Sequence, residues 1–167
     1  MAPLLLCYYG NMCGRISTAG ISAASLKTNF DIDSVFPFTL SCNVGPTLQI
    51  PVIIEQNNVR KLEAFRWGLI PHWVRDKNIL ASAFNAHAET LTHKPLFRDS
   101  IKSKRCIVLA TGFYELQKQN GRKQLYYIYR ADERPFAFAG LWDIWEDDIT
   151  GEAIESCTII TIPATHQ

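Results

Sequence analysis

The sequence predicts an α+β domain with mostly antiparallel strands, and three observations carry that prediction. Runs rich in Val, Ile, Phe, Tyr and Trp recur from residue 48 to residue 162, while only two stretches have helical spacing. Turn residues stand between adjacent strand-like runs at Asn57-Asn58, at Asn120-Gly121 and over 147–151. The regular strand–helix alternation of a doubly wound parallel sheet is missing. The 167 residues, 47% hydrophobic and 20% charged, suit one domain whose core buries roughly two-thirds of the unfolded surface.

Taken in order, the first element is a short helix from Ile21 to Phe30, with Ala23, Ala24 and Leu26 as helix formers and Ser17 or Thr18 as its cap. Leu48 to Gln56 and Val59 to Trp67 read as a hairpin around Asn57-Asn58. A second helix, Pro95 to Lys104, turns Leu96, Phe97 and Ile101 inward and its basic residues outward. Strands follow at 106–109, 113–117, 124–129, 136–145 and 156–162. The last of these, ending Cys157-Thr-Ile-Ile-Thr-Ile, reads as a buried strand that stops soon after Pro163, which suggests a fragment of a longer domain.

Charge and cysteine usage exclude several classes. The formal net charge is +1, so a polyanion site has to be a local groove; Lys94, Arg98, Lys102, Lys104 and Arg105 cluster, and Arg122 and Lys123 sit in a turn. The five cysteines (7, 13, 42, 106 and 157) are odd in number and widely spaced, with no C-x-x-C pair, which signals neither a disulfide framework nor zinc and fits a reducing compartment. The opening MAPLLLCYYG has no basic n-region and an apolar run too short for a signal peptide, and no span of ~18 apolar residues occurs. No membrane association is expected.

Seven stretches stand in order: "MCGR" at 12–15, "NVGPT" at 43–47, "RWGLIPHW" at 66–73, "FNAHAET" at 84–90, "KPLFRD" at 94–99, "RCIVLATGFYE" at 105–115 and "FAFAGLW" at 136–142. Together they resemble the SRAP family, named for SOS-response-associated peptidases, whose members crosslink covalently to abasic sites in single-stranded DNA. The likeness runs from residue 12 to about 165. It implies a barrel-like sheet core with a few short helices, a domain over 13–167 and an extension or propeptide over 1–12. It also implies single-stranded DNA containing abasic sites as partner, a monomer, no cofactor and no metal. The expected location is the cytoplasm, with the nucleoid, in a bacterium and the nucleus in a eukaryote.

By the same resemblance Cys13 matches the N-terminal nucleophile, Asn85 the active-site asparagine and Glu115 the catalytic carboxylate. Arg15, Pro46, Trp67, His87 and Arg98 match positions toward the DNA. The usual "NARAE" is here "NAHAE", so His87 stands where a phosphate-binding arginine is expected, and histidine is only fractionally charged near neutrality. The family's active-site histidine is expected beyond Gln167; His166 precedes that position.

The residue types suit the chemistry. An abasic deoxyribose opens to an aldehyde, which an amine attacks to form an imine. An α-amino group of pKa about 7.7 is deprotonated at pH 7 roughly 500-fold more than a lysine at about 10.4. A cysteine thiolate on the same residue closes onto the imine carbon and leaves a five-membered thiazolidine. A terminal cysteine offers both nucleophiles, whereas Met12 and eleven further residues precede Cys13, so those residues read as a misplaced start, as an added segment foreign to the natural protein, or as an extension to be cut away, by autoproteolysis or otherwise.

Read singly, each residue also has a structural role: Cys13 as a buried thiol, Asn85 as a turn ligand, Glu115 in a salt bridge. Trp67, Trp73, Trp142 and Trp145 read mainly as core, with Trp67 and Trp73 better placed to touch DNA. Two other functions compete, a thiol peptidase using Cys13 with His72, His87 or His93 and a non-covalent single-strand binder.

Overall fold

The structure, a computed structural model, describes residues 4–5, 7–9, 14–32, 39–77, 83–119 and 121–163. In chain order its elements are β1 (Leu4–Leu5), β2 (Cys7–Tyr9), β3 (Ile16–Ser17), α1 (Ala23–Phe30), β4 (Gln49–Gln56), β5 (Val59–Trp67) and β6 (Asn85–His87). A 3-10 turn (Ala88–Thr90), α2 (Ser100–Ser103), β7 (Arg105–Ala110), β8 (Gly112–Gln119), β9 (Arg122–Tyr129), β10 (Phe136–Glu146) and β11 (Ala153–Pro163) complete it.

β4 and β5 form the predicted hairpin. Asn57 and Asn58, at φ 53° and 59°, make the left-handed turn whose twist matches paired strands, a conformation short polar side chains tolerate. β7 joins the other edge of β4 from Val52 to Ile54, and Pro51, which has no N–H to give, falls just outside that pairing. β10 pairs antiparallel with β7 and with β11, and β11 returns parallel to β5 through Ser156↔Arg66 and Cys157↔Trp67. The circuit β4, β5, β11, β10, β7 therefore closes into a five-stranded barrel, the α+β architecture expected. Gly140 sits where β10 is paired on both edges; a Cβ there would come within 2.8 Å of Thr158 O and 2.9 Å of Cys106 Sγ, so only glycine fits.

Around the barrel, β3, β8 and β9 make a second, three-stranded antiparallel sheet. Residues 4–5 and 7–9, within the expected extension or propeptide, run beside the barrel strands: β1 parallel to β10 at Ala137 and Phe138, β2 parallel to β11 at residues 161–163. The main core joins Phe65, Trp67, Phe113, Phe136, Phe138 and Trp142, with Phe113, Phe136 and Phe138 in mutual edge-to-face contact.

Two helix predictions need correction. α1 begins at Ala23 and its cap is Ser22: the Ser22 hydroxyl accepts from Ser25 N–H (3.2 Å) while Ser25 Oγ accepts from Ser22 N–H (3.0 Å). Ser17 is already in β3, and the Thr18 hydroxyl is tied to Ser41. The second helix shrinks to Ser100–Ser103, because Phe97 is drawn into a cluster with Leu69, Ala86, Leu141 and Ile160 and residues 94–99 become successive turns on the Lys94 carbonyl. Asn120 of the predicted β8–β9 turn lies outside the described residues; Gly121 beside it takes φ 76°.

Candidate functional site

Four of the motifs share a construction. Each packs an apolar residue in or against the main core and has a candidate site residue next to it or two along the chain. Ile16 anchors "MCGRIS", Val44 "NVGPT", Phe84 "FNAHAE" and Phe113 "GFYE", and all four pack in one cluster. Burial of such side chains is worth about 1.5–3 kcal/mol each, which fixes their neighbours Arg15, Pro46, Asn85 and Glu115 to the same body.

Pairing of β3 with β8 sets the geometry around Glu115. Ile16 lies opposite Phe113, and Tyr114 N–H donates to Arg15 O at 3.0 Å, so the chain at Gly14 and Arg15 runs on alongside Tyr114 and toward Glu115. Cys13, one residue further, lies outside the described residues, as does His166. Arg15 Nη1 donates to Asn43 Oδ1 (3.0 Å), and the guanidinium lies against Gly45, whose added Cβ would stand 3.7 Å away. The Tyr114 hydroxyl donates to Cys42 O (2.8 Å), tying "GFYE" to the residues before "NVGPT".

Glu115 shares the strand face of Phe113, which points to the core, and is half-buried opposite Tyr126. Desolvation there pushes its carboxyl up from 4.5 to about 7, which leaves it divided between acid and base at neutral pH. This is the property a proton-shuttling group needs.

Asn85 and His87 lie on β6, which is laid parallel on the end of β11 through Ala86↔Ile160 and His87↔Thr161. Both are half-buried, and His87 Nδ1 meets Thr161 Oγ1 at 3.2 Å. Arg98 is exposed on the turn before α2; its neighbour Phe97 packs with Ala86, which brings that turn against β6. Pro46 is half-buried in a loop held by Thr47 N–H on Trp67 O (2.8 Å).

Trp67 is a correction. It is 0% exposed, its Nε1 donates to Phe84 O (2.9 Å), and its ring meets Phe84 edge-on, so it is a wall of the core and has no face for a base. Trp142 and Trp145 are also buried, while Trp73 is 49% exposed.

The sequence reading missed a polar cluster on the barrel. Asp143, buried in β10, accepts from His72 Nδ1 (2.9 Å), from His72 N–H (3.1 Å) and from Lys104 Nζ. Burial pushes its carboxyl up, and the hydrogen bonds from Lys104 and His72 outweigh that and hold it below the usual range. Its only signal was a lone carboxylate inside the apolar run "FAFAGLWDIW".

The motifs are thus set on one closed barrel and the sheet beside it: a half-buried carboxyl raised to about 7, a guanidinium and an asparagine-bearing strand. The signature described as SOS response associated peptidase (SRAP) matches residues 12–167, and the chain belongs to that family. It is 40% identical over 154 residues to the abasic site processing protein YoaM of Bacillus subtilis, covering 90% of this chain and 67% of YoaM. The abasic site processing protein HMCES of Xenopus tropicalis is 36% identical over 154 residues, covering 75% of this chain and 46% of HMCES. A crystal structure of a Bordetella bronchiseptica protein superposes with a TM-score of 0.78 at 25% identity, over 91% of this chain and 73% of that one. One from Bacteroides thetaiotaomicron gives 0.66 at 38% identity, over 72% and 53%.

Proposed function

We propose that this chain processes abasic sites in single-stranded DNA by forming a covalent bond through Cys13. The observation that carries the reading is the Glu115 carboxyl, raised to about 7 on the strand alongside which the Gly14–Arg15 segment runs. In the first step the free α-amine of Cys13 adds to the C1′ aldehyde of the opened sugar and gives a carbinolamine. Protonated Glu115 donates to the departing hydroxyl, water leaves, and an imine forms. The Cys13 thiolate then adds to the imine carbon, and the imine nitrogen takes a proton to complete the thiazolidine. Asn85 positions the sugar through hydrogen bonds, and Arg15 and Arg98 hold phosphates, with His87 a weaker partner than the arginine it replaces.

This chemistry requires a free amine at Cys13. Within residues 1–167 that nitrogen is an amide, so the 1–167 chain is the inactive form and removal of residues 1–12 activates it. One route is self-cleavage: the Cys13 thiol attacks the Met12 carbonyl, the amide nitrogen departs with a proton from Glu115, and water hydrolyses the resulting thioester. The test incubates the 1–167 chain and a chain beginning at Cys13, each joined to the C-terminal residues its relatives have, with abasic and intact oligonucleotides before denaturation. A denaturant-stable adduct of the abasic strand with the Cys13-initiated chain alone is expected. An adduct from a chain that mass spectrometry shows uncleaved refutes the amine mechanism.

A further inference from the structure

The hairpin that carries Glu115 inward has a second face. Strand alternation turns Tyr114, Leu116 and Lys118 of β8 outward beside Lys123, Leu125, Tyr127 and Tyr129 of β9. Three tyrosines form a ladder there: Tyr114 and Tyr127 have centroids 4.9 Å apart, and Tyr127 and Tyr129 stack at 5.5 Å and 20°. The end of the Tyr127 ring lies over Gly112, where an added Cβ would stand 2.3 Å from it. Yet Tyr129 is 57% and Leu125 54% exposed, and every residue of β9 is exposed.

The tip of this face carries an unfavourable pairing. Lys118 stands directly opposite Lys123 in the register, and like charges placed so repel. An anion bound between them removes the repulsion. At the other end, Tyr114 is bonded to Cys42, next to Asn43, the partner of Arg15. The strip therefore leads away from the candidate site over about 20 Å, the six residue steps of strand from Lys123 to Tyr129.

We infer that the outer face of the β8–β9 hairpin is a second binding surface for single-stranded DNA, with a base stacking on Tyr129 at the end of the ladder and phosphates meeting Lys118 and Lys123. Aromatic faces with interspersed cations are the combination that holds single strands without sequence preference. The inference rests on the reading of this chain as a single-strand-handling protein, and it assigns the strand flanking the lesion rather than the lesion itself.

The test is fluorescence anisotropy of an intact labelled oligothymidylate with the chain, with Tyr129→Ala and with Lys118→Ala/Lys123→Ala, each checked for an unchanged melting curve. Tyr129→Ala is expected to weaken binding at least about five-fold. The double lysine variant is expected to flatten the plot of log affinity against log salt by about 1.4, two phosphates' worth on a single strand. Unchanged affinity and salt slope in both variants overturn the inference, as does a wild-type dimer that the variants dissociate without loss of affinity, which would assign the face to a second copy. Adduct formation on an abasic oligonucleotide is measured in parallel with the chain beginning at Cys13. Capture by that chain that persists while the hairpin variants bind normally refutes this surface alone, and absence of both capture and binding in the Cys13-initiated chain refutes the functional reading with it.

Discussion

Replacing Glu115 by glutamine separates stability from activity in a way few other roles would. The wild-type carboxyl ionises where burial favours its neutral form, and its rise from 4.5 to about 7 corresponds to a ceiling of about 3 kcal/mol at about 1.4 kcal/mol per pH unit. Solvent reaching this half-exposed group brings that to about 1–2 kcal/mol. Because the folded state holds the proton more tightly than the unfolded state, the cost is absent below about pH 4.5, grows as pH rises and is complete above about 7. Glutamine has nearly the same shape and no charge to desolvate. Glu115→Gln should therefore melt about 3–6 °C above wild type at pH 8 and level with it at pH 4. Capture of an abasic strand by the Cys13-initiated protein should fall by about 10²–10⁴, and the fall in rate above about pH 7, where Glu115 loses its proton, should vanish while the rise set by the Cys13 α-amine remains. Melting curves across pH and gel-quantified adduct rates supply both readouts. A variant no more stable than wild type at pH 8 would show that the carboxyl is not desolvated, and an unchanged rate would remove it from the proton transfers.

Other substitutions test the frame around it. Gly140→Ala, forced against Thr158 O and Cys106 Sγ, should cost about 1–3 kcal/mol in a urea titration. Asp143→Ala should cost about 2–3 kcal/mol at pH 7, since it strands Lys104 and His72. The wild-type advantage at this position, from a carboxyl held low, should be present above about pH 4 and fade as pH falls below it, read as the difference between the two unfolding curves. His87→Arg should steepen the salt dependence of single-strand binding by about 0.7, measured by anisotropy, if that side chain faces a phosphate.

Local chemistry was legible where it decides structure by itself. The β4–β5 hairpin follows from alternation plus two asparagines able to take positive φ, and both predicted strands agree with the structure to within a residue. β8 and β9 were underestimated at their tip, because Lys118, Gln119, Arg122 and Lys123 carry no apolar pattern and are strands only by cross-strand pairing. β6 was invisible for a stronger reason: Asn85–His87 has no strand pattern of its own and is extended because Ile160 and Thr161 offer it partners. Trp67 was misread although the signal existed. It is two residues from Phe65 in a strand, so the two must share a face, and Phe65 is core. Asp143 and His72 are 71 residues apart, and nothing short of the closed barrel joins them.

The motifs were legible as markers of a site because of how the core is used. A site spread over four distant segments needs each segment fixed to the same body, and Ile16, Val44, Phe84 and Phe113 do this by meeting in one cluster. Their neighbours Arg15, Asn85 and Glu115 inherit positions from that shared core. The β8–β9 hairpin extends the same economy, since a two-stranded ribbon alone is only marginally stable. Phe113 nails its inner face to the barrel, and the period of two sends Glu115 inward to be desolvated while Tyr114, Tyr127 and Tyr129 turn outward. Gly112 sits at the base, under the end of the Tyr127 ring. The acid and the outer aromatic strip are thus one structural decision, and a change that loosens Phe113 should disturb both faces together.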